Sequence, residues 1–118
     1  MGHSFSKTDE QLAPSMARVA LVTNKYPAVI FTKTLSECSI PTEDLLKKMC
    51  KKGALKVMFL RGGKEGWEFQ EALARMSNGQ RTVPNVWIGG HYIGNAEDVD
   101  ELNSRGMLKP LLEKSGAM

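Results

Sequence analysis

Apolar positions along this chain alternate between a helical and an extended rhythm. Thr8-Asp9-Glu10 opens acidic and leads into Leu12, Met16, Val19, Ala20 and Val22, a helical spacing that Pro14 interrupts. Pro27-Ala28-Val29-Ile30-Phe31-Thr32 is a continuous apolar run with β-branched residues, which predicts a buried strand. Thr42, Leu45, Leu46, Met49 and Cys50 return to helical spacing, with lysines in the last turn and Gly53 as a stop. Leu55–Leu60 reads as a second strand and Arg61-Gly62-Gly63 as a turn. Phe69, Ala72, Leu73 and Met76 form the apolar face of a third helix ending near Asn78-Gly79. Val83–Ile88 and His91-Tyr92-Ile93, joined by Gly89-Gly90, predict a hairpin. Asn95 is placed to cap a helix carrying Val99 and Leu102, and Gly106 separates it from a short helix with Leu108, Leu111 and Leu112. A βαβ unit followed by a hairpin implies an α/β chain with a mixed sheet of about four strands flanked by helices.

Composition narrows the picture. At 118 residues the chain fits one domain, read as residues 17–118, with 1–16 as a tail plus the start of the first helix. Its 42% hydrophobic and 25% charged residues are those of an ordinary soluble protein. No apolar run approaches the roughly 20 residues of a membrane span, and the first residues lack the apolar centre of a secretory signal. No membrane partner is expected, and a cytoplasmic location is. The net charge of +3 is mild and the lysines are scattered. Only Lys47, Lys48, Lys51 and Lys52 cluster, as a solvated helix face, so no nucleic-acid partner is expected. Two cysteines, Cys38 and Cys50, are too few for a secreted disulfide framework. Cys50 reads as a small apolar residue on an inner helix face. His3 and His91 stand alone, without metal-ligand spacing to Cys38, so no metal site is expected.

The segment Gln80-Arg81-Thr82-Val83-Pro84-Asn85-Val86-Trp87-Ile88-Gly89-Gly90-His91-Tyr92-Ile93-Gly94 closely resembles the Thr-Val-Pro stretch and following hairpin of the glutaredoxins. Val29-Ile30-Phe31-Thr32-Lys33-Thr34 is similar to the strand and lysine that precede that family's redox motif, and Glu97-Asp98 to its acidic helix start. The resemblance runs from about Pro27 to Leu112 in order; it implies a thioredoxin-like fold and a glutathione-dependent thiol–disulfide oxidoreductase of cell redox homeostasis. It further implies a groove for glutathione, and glutathionylated proteins as partners. Lys33 would meet a carboxylate of the tripeptide. Val83, before a cis Pro84, would pair its backbone with the cysteinyl unit, and Asp98, next to Glu97, would meet the γ-glutamyl amine. Thr82 and Arg81 are further candidates. The residues themselves fit an anionic peptide, which suits a lysine, an exposed backbone edge and a helix N-terminus. Taken singly, Lys33 also reads as a solvated lysine, Asp98 as a helix-capping residue, and Pro84 as a trans proline on an edge strand. Trp67 and Trp87 read as core or groove-wall packing.

The redox motif itself is broken. Counted without gaps from Lys33, the resemblance puts Ser36 at the nucleophile position and Ser39 at the second, in Ser36-Glu37-Cys38-Ser39. The attacking species in disulfide exchange is a thiolate, which a serine hydroxyl cannot supply. Three readings stay open: Cys38 substitutes as nucleophile after a one-residue shift, the chain is a non-catalytic glutathione-binding or interaction module, or a cysteine has been exchanged for serine. An iron–sulfur cluster, which some single-cysteine members bind through the nucleophile, is not expected with serine at position 36. Pro41 predicts a late helix start, with Ser39 as N-cap and Ser36-Glu37-Cys38 as loop, because a helix begun earlier would lose a hydrogen bond and clash at Glu37.

Overall fold

The computed structural model describes residues 7–118; residues 1–6, His3 among them, lie outside this range and include part of the expected N-terminal tail. Helix α1, Asp9–Lys25, opens on a reciprocal cap. The Gln11 N–H donates to Thr8 Oγ1 at 3.1 Å, and the Thr8 N–H donates to Gln11 Oε1 at 2.9 Å. The interruption expected at Pro14 does not occur, and the helix runs through it. Pro14 lies on the exposed face, whereas Leu12, Ser15, Val19 and Thr23 on both sides of it are buried against one core. That shared burial outweighs the roughly 3 kcal/mol a helix-interior proline costs.

Four strands follow: β1 (Ala28–Thr32), β2 (Leu55–Phe59), β3 (Asn85–Ile88) and β4 (His91–Gly94). They form one sheet in the order β2-β1-β3-β4, with β1 and β2 parallel and the other pairs antiparallel. Helix α2 (Ile40–Met49) makes the crossover from β1 to β2, and α3 (Gly63–Met76) leads from β2 toward β3. The chain closes with α4 (Ala96–Ser104) and α5 (Leu108–Ser115). The fold is the expected thioredoxin-like one.

All five residues of β1 are buried because helices cover both sheet faces. Val29 and Phe31 meet Leu12 and Val19 of α1 and Ala72 and Leu73 of α3. Ala28 and Ile30 join Leu46 of α2, Val99 of α4 and Leu108 and Leu112 of α5 on the other side. Alternation between two cores explains why the run shows no polar face. Complete burial of Phe31, Ile30 or Leu46 is worth about 1.5–3 kcal/mol each. Trp87 is a core residue, but Trp67 is 43% exposed on α3 and belongs to no core cluster. None of the helices described is long and apolar enough to cross a membrane.

Register sets the site. Phe31 pairs with Asn85, and Val86 with Gly94. The exit of β1, the entry of β3 and the exit of β4 therefore share one end of the sheet. The loop after Thr32, the Thr82–Pro84 segment and the start of α4 all meet there.

Candidate functional site

The chain leaves β1 at Lys33, which is exposed, and turns twice before α2. The Ser36 N–H donates to the Lys33 carbonyl at 3.2 Å, and the Ser39 N–H to the Ser36 carbonyl at 3.2 Å. Helix α2 starts at Ile40 with Pro41 in its first turn, as the proline requires. Ser39 is the N-cap residue, but its side chain does not cap. Its hydroxyl instead meets the Ser36 hydroxyl at 2.9 Å. The two serines thus form a contact pair, Ser36 partly exposed and Ser39 buried. Cys38 projects from the intervening turn and is exposed. Leu35, between Lys33 and Ser36, has φ 64° and is 93% exposed. A left-handed conformation costs a leucine roughly 1–2 kcal/mol, and nothing in the sequence pattern foretold it.

The second wall is the segment before β3. The Val83–Pro84 bond is cis, as expected, and the strand begins at Asn85 rather than Val83. The backbone N–H and C=O of Val83 have no hydrogen-bond partner among the described residues, while its neighbours are held on both sides. Gln80 does the holding. Its Nε2 donates to the Thr82 carbonyl at 3.1 Å and to the Pro84 carbonyl at 2.9 Å. Its Oε1 accepts from the Tyr92 hydroxyl of β4. Burial, with the Asp98 carboxylate adding to it, pushes the Tyr92 phenol up from its ordinary pKa and keeps it a donor. Deeper in, Trp87 Nε1 donates to Asn85 Oδ1 at 2.8 Å, Asn85 Nδ2 to Ser77 Oγ at 3.0 Å, and Ser77 Oγ to the Leu73 carbonyl at 2.6 Å. This buried chain ties the foot of β3 to the end of α3.

The Arg81 side chain does not hang free. Its guanidinium forks onto the Glu71 carboxylate, with Nη2 to Oε2 at 3.0 Å and Nη1 on Oε1. Glu71 is a buried charge on α3 that helical periodicity did not single out. The Arg81 hydrogen bond holds its carboxyl below the usual carboxylate range, against the opposing effect of burial. Because the folded pKa is depressed, the pair's stabilisation is complete above the unfolded value near 4.3 and is lost as pH falls through the lower folded one. Arg81→Gln is expected to cost about 1 kcal/mol at neutral pH, a figure reduced for the solvent around the arginine. It should also flatten the acid limb of a urea-unfolding stability profile below pH ~5. An unchanged acid limb would show that the pair contributes nothing there.

At the third wall Asn95 and Asp98 cap each other. The Asp98 N–H donates to Asn95 Oδ1 at 3.1 Å, and the Asn95 N–H to Asp98 Oδ2 at 2.9 Å. The plainer role foreseen for Asp98, that of capping residue, is therefore present. Glu97 beside it is exposed. The topology thus gathers Lys33, Ser36, Cys38, Thr82, Val83, Pro84, Glu97 and Asp98 at one end of the sheet, and Arg81 alone is committed elsewhere. Cys50 packs against the core below, and burial pushes its thiol pKa up, away from reactivity. No group of three or more His, Cys, Asp or Glu side chains among the described residues is arranged to hold a metal ion. A hydroxyl at position 36 likewise offers no thiolate to an iron–sulfur cluster.

No protein-family model matches the chain. Individual relatives do. A glutaredoxin of Solanum lycopersicum is 39% identical over 105 residues, spanning 88% of this chain and 94% of that protein. Glutaredoxin-C1 of Arabidopsis thaliana is 36% identical over 118 residues, 99% of this chain and 90% of that one. Among solved structures, the buckwheat glutaredoxin–glutathione complex superposes with a TM-score of 0.84 at 33% identity, covering 95% of this chain and 99% of that one. Identity at this level over nearly the whole of both chains, with the same fold beneath it, means that the chain belongs to the glutaredoxin family.

Proposed function

We propose that this protein serves glutathione-dependent thiol–disulfide redox chemistry, and that the sheet end carrying Lys33, Val83 and Asp98 is its glutathione groove. The chemistry of the three walls supports the reading. Val83 offers one free N–H and one free C=O, the complement of a peptide backbone. Lys33 supplies an exposed cation for a carboxylate. Glu97 and Asp98, at the start of α4, supply negative charge for an ammonium group, and Thr82 sits beside Val83 on the rim. A relative of known structure was solved as its glutathione complex. Glutathionylated proteins are the corresponding macromolecular substrates.

One feature bears on the activity: Ser36 and Ser39, which the resemblance counted without gaps assigns to the paired-thiol positions, carry hydroxyls 2.9 Å apart. In disulfide exchange a thiolate attacks one sulfur of a mixed disulfide, forms a new S–S bond and expels the other sulfur as thiolate. Ser36 cannot form that bond, so the chain as it stands binds glutathione without turnover through this residue. A second reading makes Cys38 the nucleophile, and its exposure on the same turn favours it.

The deciding experiment is the rate of reduction of a glutathione mixed disulfide by glutathione, with Cys38→Ala as control, beside calorimetric binding of glutathione. The expected result is no rate above background and saturable binding. Lys33→Ala should weaken that binding about tenfold, the size of one charge-assisted hydrogen bond. Gln80→Ala should weaken it too, by releasing the Val83 segment. A rate that disappears in Cys38→Ala would move the nucleophile to Cys38; absence of binding would sink the groove.

A further inference from the structure

On the opposite flank of the molecule, we propose that the open edge of β2 and the trough beside it dock an extended acidic–apolar segment of a partner protein. Among the described residues, β2 is an outer strand whose only sheet neighbour is β1. The parity of its backbone is fixed at both ends. The Ala28 N–H donates to the Ala54 carbonyl at 3.3 Å, and the Leu60 N–H to the Thr32 carbonyl at 2.8 Å. In a parallel ladder these bonds turn the backbone groups of Lys56 and Met58 toward β1 as well. The N–H and C=O groups of Leu55, Val57 and Phe59 therefore face outward along the edge, ready to pair with an added strand.

The trough runs beside that edge. A hollow of about 1100 Å³ lies between α1 and β2. It continues past Arg18 and Met58, which line both parts, into a cleft of about 550 Å³ at the start of α3. The flank exposes apolar side chains: Leu21 is 71% and Phe59 53% accessible, beside the apolar lining of the trough.

Charge selects the occupant. Arg18, Lys25, Lys56 and Arg61 line the trough against a single carboxylate, Glu65. None of these cations forms an ion pair among the described residues, unlike Lys7, Lys47, Arg75, Arg81 and Arg105. Three of them lie over aromatic rings, Arg18 over Phe69 at 5.8 Å and Lys25 and Lys56 over Tyr26 at 5.5 and 5.7 Å. Those contacts hold the heads in place without neutralising them. A second copy of this chain would bring the same cations together, and a neutral strand would leave them without partners. A segment alternating acidic and apolar residues satisfies backbone, charge and apolar surface at once.

The test uses the full chain and a short capped peptide of alternating Glu and Val, with its Lys–Val counterpart, followed by amide NMR and hydrogen exchange. The Glu–Val peptide is expected to bind and to protect the amides of Leu55, Val57 and Phe59. The surface variant Arg18→Glu/Lys56→Glu should weaken it on the order of tenfold or more, and the Lys–Val peptide should not bind. Failure of the Glu–Val peptide to bind, equal binding of both peptides, or shifts confined to Lys33 and Val83 would each overturn the proposal. Self-association of the peptide-free protein that protects the same edge amides would make a second copy the occupant, and would overturn it equally.

Discussion

Ser36→Cys is expected to raise the rate of glutathione mixed-disulfide reduction by at least roughly 10²-fold over the unaltered chain, since loss of a covalent nucleophile costs enzymes up to ~10⁶-fold. The geometry for the gain is in place. Position 36 is partly exposed, its backbone is pinned to Lys33, and its side-chain oxygen already lies 2.9 Å from that of Ser39. A thiolate there would form the protein–glutathione disulfide that a hydroxyl cannot, and a second glutathione would then reduce it. The pH dependence is a second, separate readout. Because Pro41 delays α2 to Ile40, the helix start lies beyond position 36, and a macrodipole acts only within about a turn of its end. The Ser39 hydroxyl is then the nearest stabiliser of the thiolate, so the rate should climb toward the ordinary thiol pKa near 8.5. Ser39→Ala in the Ser36→Cys background should move that climb to higher pH. No gain in rate would show that the ungapped reading of the motif is wrong, and a rate already flat from pH ~5 would show that the helix does activate this position.

A large loss of stability is expected from Gly94→Ala, about 2–4 kcal/mol, or roughly 10 °C in Tm. Gly94 ends β4 at φ +145°, a conformation side chains rarely adopt. A Cβ built there would lie 2.1 Å from Asp98 Oδ2 and 2.5 Å from both Asp98 Cβ and Cγ. Oδ2 is the atom that accepts the Asn95 N–H, so the methyl group evicts the cap as well as straining the backbone. On the proposed assignment of Asp98 to the glutathione site, the same variant should also bind glutathione less well, because it displaces that carboxylate. Asp98→Ala alone should cost only about 1 kcal/mol, the worth of a cap. In the double variant the two losses should fall short of their sum, since the alanine at 98 removes part of the clash. A thermal melt of Gly94→Ala within a few degrees of the parent would show that β4 and α4 yield at this junction.

Much of this was readable from residue order. The buried run at Ala28–Thr32, the hairpin at Gly89-Gly90, the Asn95 cap and the late start of α2 follow from local chemistry: periodicity, a glycine's reach, a missing N–H. Pro14 misled because its cost is local, whereas the compensation, burial of Leu12 and Val19 on the same core, is not. The core reading of Trp67 misled because an aromatic residue on an amphipathic helix carries no mark of which side it faces.

The amino-acid sequence by itself determined the element order, the mixed sheet, the family and the absence of a thiol at position 36, because each depends on residue type or near-neighbour spacing. Tertiary structure alone decided which partners the polar side chains took. Arg81, a groove candidate in sequence, turned to Glu71 because α3 packs a buried carboxylate within its reach. Gln80 became the brace of Thr82 and Pro84 because the register of β3 and β4 brings Tyr92 over it. The contact between Ser36 and Ser39 and the open cationic edge of β2 have the same origin. Where a side chain points, and what stands opposite, is settled only when the sheet registers and the helices pack, since a hydrogen bond between distant residues leaves no period in the chain.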